Sequence, residues 1–388
     1  MFHAALKSQA LAALCLGVTL TSCAPAQDRA APAAERTDVV GVRKVIALLP
    51  NAQSTNRMRQ TAQSRGYQEI DAHRLDGLGL TMLTFRMPDG VTGAEAIEAL
   101  EAAVPESTVG INHAYRLQQV TQAPGALNYA DTLMRWQEGG CRARAPIGII
   151  DTAIDTSSPA LQGAEVVTRT FFDGNAAAAT HGTDVAALLA DPDRLRGVRI
   201  YAANVFGQPE ASGPVAGADA LVRALDWLAD ENVRFVNLAL AGPYNKLLDL
   251  AVVRAADRGL VLVAAVGNDG PRVDPLYPAG FSDVIAVTAV DADGRIYRDA
   301  VRGSHVDIAA PGVDILVPID GPARLITGTS IATPFVTARL VADPSVIAAR
   351  SVADVRNRLA TTSAELGPEG RDPVFGYGLA LANDICSD

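Results

Sequence analysis

Apolar positions along the chain follow two rhythms. Short unbroken runs, "KVIALLP" (44–50), "IGII" (147–150) and "VLVAAVG" (261–267), have the length and composition of strands. The second and third read as parallel strands buried on both faces. Between such runs the spacing becomes helical. "HGTDVAALL" (181–189) puts Val185, Leu188 and Leu189 on one face, and "GTSIATPFVTARL" (328–340) continues in small and apolar residues after a glycine. Strands alternating with helices predict an α/β domain with a mostly parallel central sheet.

Residues 39–117 carry a pattern of their own. A strand in "KVIALLP" is followed by a helix in "TNRMRQTAQSRGY" (55–67) and two strands about a Gly-containing turn in "EIDAHRLDGLGLTMLTFRMP" (69–88). A capped amphipathic helix in "TGAEAIEALEAAVP" (92–105) and one last strand in "STVGINHAYRLQ" (107–118) complete the unit. Strand-helix-strand given twice is the small α+β ferredoxin-like arrangement. Its function does not follow from that order alone.

Composition narrows the function classes. The 388 residues can hold one large domain and a smaller one, and 49% hydrophobic with 20% charged residues is a globular balance. A formal net charge of -10 argues against a nucleic-acid partner, which requires basic surface to neutralise phosphates. At the N-terminus, Lys7 and the apolar "ALAALCLGVTL" (10–20) form a signal-type segment too short to span a bilayer. "LTSC" (Leu20 to Cys23) resembles the bacterial lipobox, which implies signal cleavage after residue 22 and a lipid on the Cys23 thiol. Ala24 follows that cysteine. The resemblance thus implies a periplasm-facing lipoprotein of the cell envelope, in the outer rather than the inner membrane. The Pro/Ala-rich stretch 23–38 reads as a tether. Cys15 would leave with the signal. Cys141 and Cys386 remain, either as a disulfide closing a long loop or as two thiols.

Four residues could carry chemistry, and each has a plain structural alternative. Asp151 ends a strand, His181 starts a helix, Asn268 precedes Asp-Gly, and Ser330 follows a glycine at a helix start. Singly, they read as caps and turn residues. Together and in this order, "IIDTAID", "HGTDVAALL", "AAVGNDG" and "GTSIATPFVTA" resemble the subtilase family, whose triad runs Asp, His, Ser. The likeness extends from about 126 to 385 through "IYAANVFG", "VNLALAGP", "YPAGFSDVIAVTAVD", "DIAAPGVDI" and "DPVFGYGLALA".

The resemblance implies a subtilisin-like three-layer domain over 126–388 and a serine endopeptidase acting on polypeptides without a cofactor. Ser330 would be nucleophile, His181 base and acid, Asp151 its orienting partner, and Asn268 an oxyanion donor. Residues 39–117 resemble the family's propeptide, a chaperone and inhibitor whose last segment enters the cleft in cis. Residues 118–125 would then be the linker that is cut. Two stretches are expected to clasp substrate by strand pairing, one with Ser212 and Gly213, the other Leu238, Ala239, Leu240, Ala241 and Gly242. Ala241 stands where the family often has Gly, which implies a narrow slot for a small-to-medium apolar side chain.

Three residues depart from the family pattern: Ile331 for Met, Asp184 for the second His of "HGTH", and Phe335 for His. "LADPDRLRGVRI" (189–200) is short and offers too few oxygen ligands for a calcium cage, so no metal is expected there. A rival reading is a non-enzymatic peptide-binding or regulatory protein whose N-terminal domain stays in the cleft.

Overall fold

The run Ile147–Asp151 forms the strand its apolar residues predict and lies inside a nine-stranded sheet. In this computed structural model the described residues are 39–41, 43–117, 129–208, 213–317, 324–383 and 385–386. The signal and tether, with Cys23, the 118–125 linker and Ser212 therefore lie outside them. The sheet runs Glu165–Thr170, Arg199–Asn204, Ile147–Asp151, Phe235–Leu238, Val261–Ala265, Val284–Val290, Ile308–Pro311, Leu379–Ala380 and Ser363–Ala364. Every neighbouring pair is parallel except the last.

Strand side chains alternate between two cores because successive Cβ atoms point to opposite faces. Ile147, Ile149, Val261 and Val263 join the core beneath helices Thr180–Leu189 and Thr329–Ala342. Ile150, Leu262 and Ala264 join the opposite core, beneath helices Ala218–Asp230 and Lys246–Asp257. The result is three layers: helices, sheet, helices. Thr329–Ala342 packs on four strands and on the Thr180–Leu189 helix, and all its residues are buried. A helix enclosed this way must be apolar or small on every side, which explains its unbroken sequence. Cys141 and Cys386 are joined by a disulfide with Cα atoms 4.9 Å apart, bonding the C-terminal segment to the start of the large domain.

Residues 44–111 form a four-stranded antiparallel sheet in the order Gln68–Leu75, Leu80–Arg86, Lys44–Leu49, Thr108–Ile111, with two helices on one face. This is the ferredoxin-like order. Its first helix begins at Ala52, earlier than apolar spacing predicts, because Asn51 caps it by accepting from the Ser54 N–H. The other face of the sheet contributes Ile46, Leu48, Leu80 and Met82 to the core shared with helices Ala218–Asp230 and Lys246–Asp257.

The last strand predicted for this unit is two strands, Thr108–Ile111 and Ala114–Leu117, in different sheets. The break falls at Asn112. Its side chain accepts from the Asp219 N–H and donates to the Asp219 carboxylate, turning the chain against the start of helix Ala218–Asp230. A lone polar residue inside an apolar-alternating run gives no sign of a partner so distant in sequence.

The short 189–200 stretch is organised by a buried cation of the chain itself. Arg194 is 1% exposed, pairs with Asp131 at 2.7 Å and Asp191 at 3.6 Å, and donates to the Leu188 carbonyl at the end of the Thr180–Leu189 helix. Its guanidinium lies 4.4 Å from the centre of the Phe335 ring. Arg194→Met leaves the two carboxylates and the carbonyl without their donor. It is expected to cost about 3–5 kcal/mol, the usual penalty for breaking a buried pair, read as a lower thermal midpoint.

Candidate active site

Asp151 ends its strand at the carboxyl edge of the sheet, where α/β folds place reacting groups. The Thr152 N–H donates to its Oδ1 at 2.6 Å, fixing the carboxylate plane. His181 stands at the second position of the Thr180–Leu189 helix, its Nδ1 2.8 Å and 2.9 Å from the two Asp151 oxygens. Its Nε2 lies 3.2 Å from Ser330 Oγ. With Nδ1–H donating to the carboxylate, Nε2 is left to accept from the serine hydroxyl. All three side chains are buried.

Gly182 makes this approach possible. Its N–H donates to Thr152 Oγ1, and a Cβ there would sit 2.6 Å from the Thr152 carbonyl oxygen. Burial alone would lower the His181 pKa. The Asp151 carboxylate, by charge and hydrogen bond, with Asp184 adding to it, outweighs burial and carries the pKa above that of a free imidazole.

Ser330 is the second residue of its helix, and Gly328, not Ser330, is the N-cap. The helix start therefore supplies N–H groups and a positive dipole end beside Oγ while the hydroxyl stays with the imidazole. Asn268 follows Gly267, whose φ of +102° and close approach to Leu276 exclude a side chain. The Asn268 Oδ1 accepts from the Thr329 N–H at 3.0 Å and the Thr329 hydroxyl at 2.9 Å, and that hydroxyl accepts from the Gly267 N–H. With its oxygen committed to Thr329, the carboxamide presents Nδ2 as its donor end. Thr329 and Thr152 were missed in the sequence, although each stands directly beside a residue that was singled out.

The two stretches expected to clasp substrate also come together, and they hold a strand of this chain. Ala114–Leu117 lies between Val215–Gly217 and Leu240–Ala241, antiparallel to both, with Ala216 opposite Tyr115 and Leu240 opposite Leu117. Tyr115 is fully buried and donates to the Pro243 carbonyl at 3.1 Å. A Cβ on Gly242 would lie 2.6 Å from the Tyr115 ring. Gly242 pairs through its backbone with Tyr277, Gly213 is exposed just before the clasp, and Ala239 is buried. Leu238 instead belongs to the central sheet, opposite Ile150 and Ala264. Asp184 is ion-paired to Arg324, while Ile331 and Phe335 pack into the core.

Residues 144–378 match the Subtilase family. The chain belongs to that family. It is 33% identical over 256 residues to subtilisin DY of Bacillus licheniformis, covering 62% of this chain and 89% of that protein. The thermostable alkaline protease of Halalkalibacterium halodurans is 30% identical over 273 residues, 67% of this chain and 72% of its own. In fold, this subtilase is similar to fervidolysin of Fervidobacterium pennivorans, a keratinolytic enzyme related to subtilisin, with a TM-score of 0.72 at 20% identity. That match covers 89% of this chain and 60% of fervidolysin's length. The subtilase is a subtilisin-like serine endopeptidase, a hydrolase with the α/β fold its sequence predicts.

On the catalytic reading proposed below, replacing Asn268 by alanine removes one oxyanion donor and leaves Asp151, His181 and Ser330 in place. The expected loss is about 100- to 1000-fold in kcat with KM little changed, measured on a chromogenic peptide.

Proposed function

We propose that this subtilase is made as a lipid-anchored zymogen in the bacterial cell envelope. Its N-terminal domain, 39–117, occupies the cleft until the chain is cut within 118–125. The observation that carries this reading is the Ala114–Leu117 strand held between two strands of the peptidase domain. Such pairing is how an extended substrate is gripped, so the domain's last residues serve as a tethered substrate mimic.

In the proposed reaction Ser330 Oγ attacks the peptide carbonyl as its proton passes to His181 Nε2. Asp151 stabilises the resulting imidazolium, and Asn268 Nδ2 with the Ser330 N–H takes the charge on oxygen. His181 then protonates the leaving amine. Water, activated by the same imidazole, releases the acyl group from Ser330. Substrates are polypeptides able to lie as residues 114–117 do, with an aromatic residue where Tyr115 sits and a small-to-medium apolar side chain in the slot narrowed by Ala241. Cys23 carries the lipid and residues 24–38 the tether. The periplasmic face of the outer membrane is the proposed location.

Intact mass of the signal-less protein, with and without a fluorophosphonate probe, tests the central claim. Wild type is expected to split within 118–125 and take up one probe, whereas Ser330→Ala stays whole and unlabelled. An uncut, unlabelled wild type would overturn it. Loss of Cys23→Ser from the membrane fraction tests the anchor.

The two domains also meet at a titratable contact. Asp226 on helix Ala218–Asp230 accepts from the Leu78 N–H at 3.0 Å, at the turn between two strands of the N-terminal domain. Burial, with Asp230 and Asp76 nearby, raises its pKa to about 6 against the hydrogen bonds from Leu78 and Gly77. On the proposal that docking supplies the burial that outweighs the Leu78 and Gly77 hydrogen bonds, the Asp226 carboxyl takes up a proton on docking. Docking is therefore strongest below the ordinary carboxylate pKa, weakens as pH rises to about 6, and is level above that. After cleavage, release of the N-terminal domain is expected to quicken between pH 4 and 6, and Asp226→Asn to flatten that dependence. The span is at most about 100-fold, reduced by solvent around a half-buried group, and gel filtration at each pH reads it.

A further inference from the structure

Asp184 lies one helical turn beyond His181 on the same helix and is only 2% exposed. A carboxylate so placed needs a counter-charge. Arg324 provides it, its guanidinium donating to Asp184 Oδ1. Arg324 opens the strand Arg324–Ile326, paired with Ile315–Val317, and that strand continues through Thr327 and Gly328 into the helix bearing Ser330. One ion pair thus joins the histidine's helix to the lead-in of the serine's helix, outside the triad.

The charged groups around His181 on the elements packed against it can be named. Asp151 faces it from the sheet, Asp184 from its own helix and Arg324 from the hairpin. Ser330 on the buried helix is neutral, Asp155 turns its carboxylate to Ser157, and Arg194 binds the Leu188 carbonyl at the helix's far end. Asp184 alone would favour the imidazolium, and Arg324 alone would oppose it. Paired, they largely cancel. Burial holds Asp184 above the ordinary carboxylate range while Arg324 pulls it back, so the pair is balanced rather than inert.

We infer that Asp184 and Arg324 are positioning residues for the serine-peptidase reaction: a charge-compensated brace that fixes His181 against Ser330 and sets the pH at which the imidazole becomes a base. The inference rests on the triad reading proposed above.

Opposite shifts test it. In full-length protein bearing Asp184→Asn, the unpaired Arg324 charge should move the acid limb of kcat/KM to lower pH, by on the order of one unit. Arg324→Met should move it a similar amount to higher pH, and the double variant should return it near wild type. Arg324→Met and the double variant should lose about tenfold in kcat, because a small misplacement of a base is costly and their tether is gone. Asp184→Asn, whose carboxamide oxygen still accepts from Arg324, should lose less. Arg324→Lys, which keeps the charge, should restore the limb. Thermal unfolding of each variant reports folding separately. The same opposite shifts should appear in the His181 ring-proton titration measured by NMR in a Ser330→Ala background, which requires no catalysis. Shifts of one sign in both single variants, or none, overturn the brace. Opposite NMR shifts in a protein whose wild type neither hydrolyses peptides nor takes up the probe would instead uphold the brace and sink the triad reading.

Discussion

Ser330→Ala is expected to lower kcat by a factor on the order of 10^6, by analogy with loss of the same group in subtilisin, while KM stays within a few-fold. The separation follows from the geometry. On the proposed reading, substrate is gripped by backbone pairing along Val215–Gly217 and Leu240–Ala241, the strands that hold Ala114–Leu117, and not through Oγ, so ground-state binding survives. The covalent route does not, since no other hydroxyl stands within hydrogen-bond reach of His181 Nε2 among the described contacts. Asn268 and the helix start still favour an oxyanion, so hydrolysis should persist at about 10^3- to 10^4-fold over water. His181→Ala should lose as much as Ser330→Ala, and the double variant hardly more, because the two act as one unit. Progress curves for the three variants on one peptide, after the N-terminal domain has been removed by an added protease, measure all of this. Additive losses would show that Ser330 and His181 do not share a proton.

Much of this fold was legible because burial simplifies sequence. The runs at 147–150 and 261–267 are apolar since both faces of those strands are covered, and the unbroken small and apolar residues of 328–340 mark a helix enclosed on all sides. Asp151, His181, Asn268 and Ser330 stand out because the turn or helix start beside each needs glycine, or another small residue, at a fixed offset. Gly182 and Gly267 are the clearest cases, each excluding a Cβ by close contact.

What the sequence hid is pairing across long separations. Asn112 splits a strand by bonding Asp219, Arg194 draws in Asp131, and Arg324 reaches Asp184. In each case the local pattern shows a solvated polar residue, and only the folded chain brings its partner near. Thr329 is a different kind of omission. It lies beside Ser330, yet its hydroxyl serves Asn268, a role that adjacency in sequence does not reveal.

Asp151→Asn should lower kcat by on the order of 10^4, and the reason is the identity of a proton rather than the loss of a contact. The Thr152 N–H binds Asp151 Oδ1, and an asparagine there keeps that bond by placing its carbonyl oxygen on the same atom site. The amide nitrogen then takes the Oδ2 position, 2.9 Å from His181 Nδ1, with N–H bonds aimed at the ring. The oxygen at the Oδ1 site, 2.8 Å from Nδ1, already accepts from the Thr152 N–H, so the amide N–H favours Nδ1 as its acceptor. The ring proton then moves to Nε2, and Nε2–H faces Ser330 Oγ. A nitrogen that already carries its proton cannot take the serine's. Removing the carboxylate also leaves burial as the dominant influence on the ring, so the imidazole pKa falls below its ordinary value and the acid limb of any residual activity moves to lower pH. Asn268→Ala predicts the contrast: a smaller loss, an unmoved acid limb, and fluorophosphonate labelling that slows but persists. Asp151→Asn should instead slow labelling nearly as much as turnover, because the nucleophile itself is no longer activated. Equal labelling rates in wild type and Asp151→Asn would mean that Ser330 owes its reactivity to the helix start and not to the imidazole.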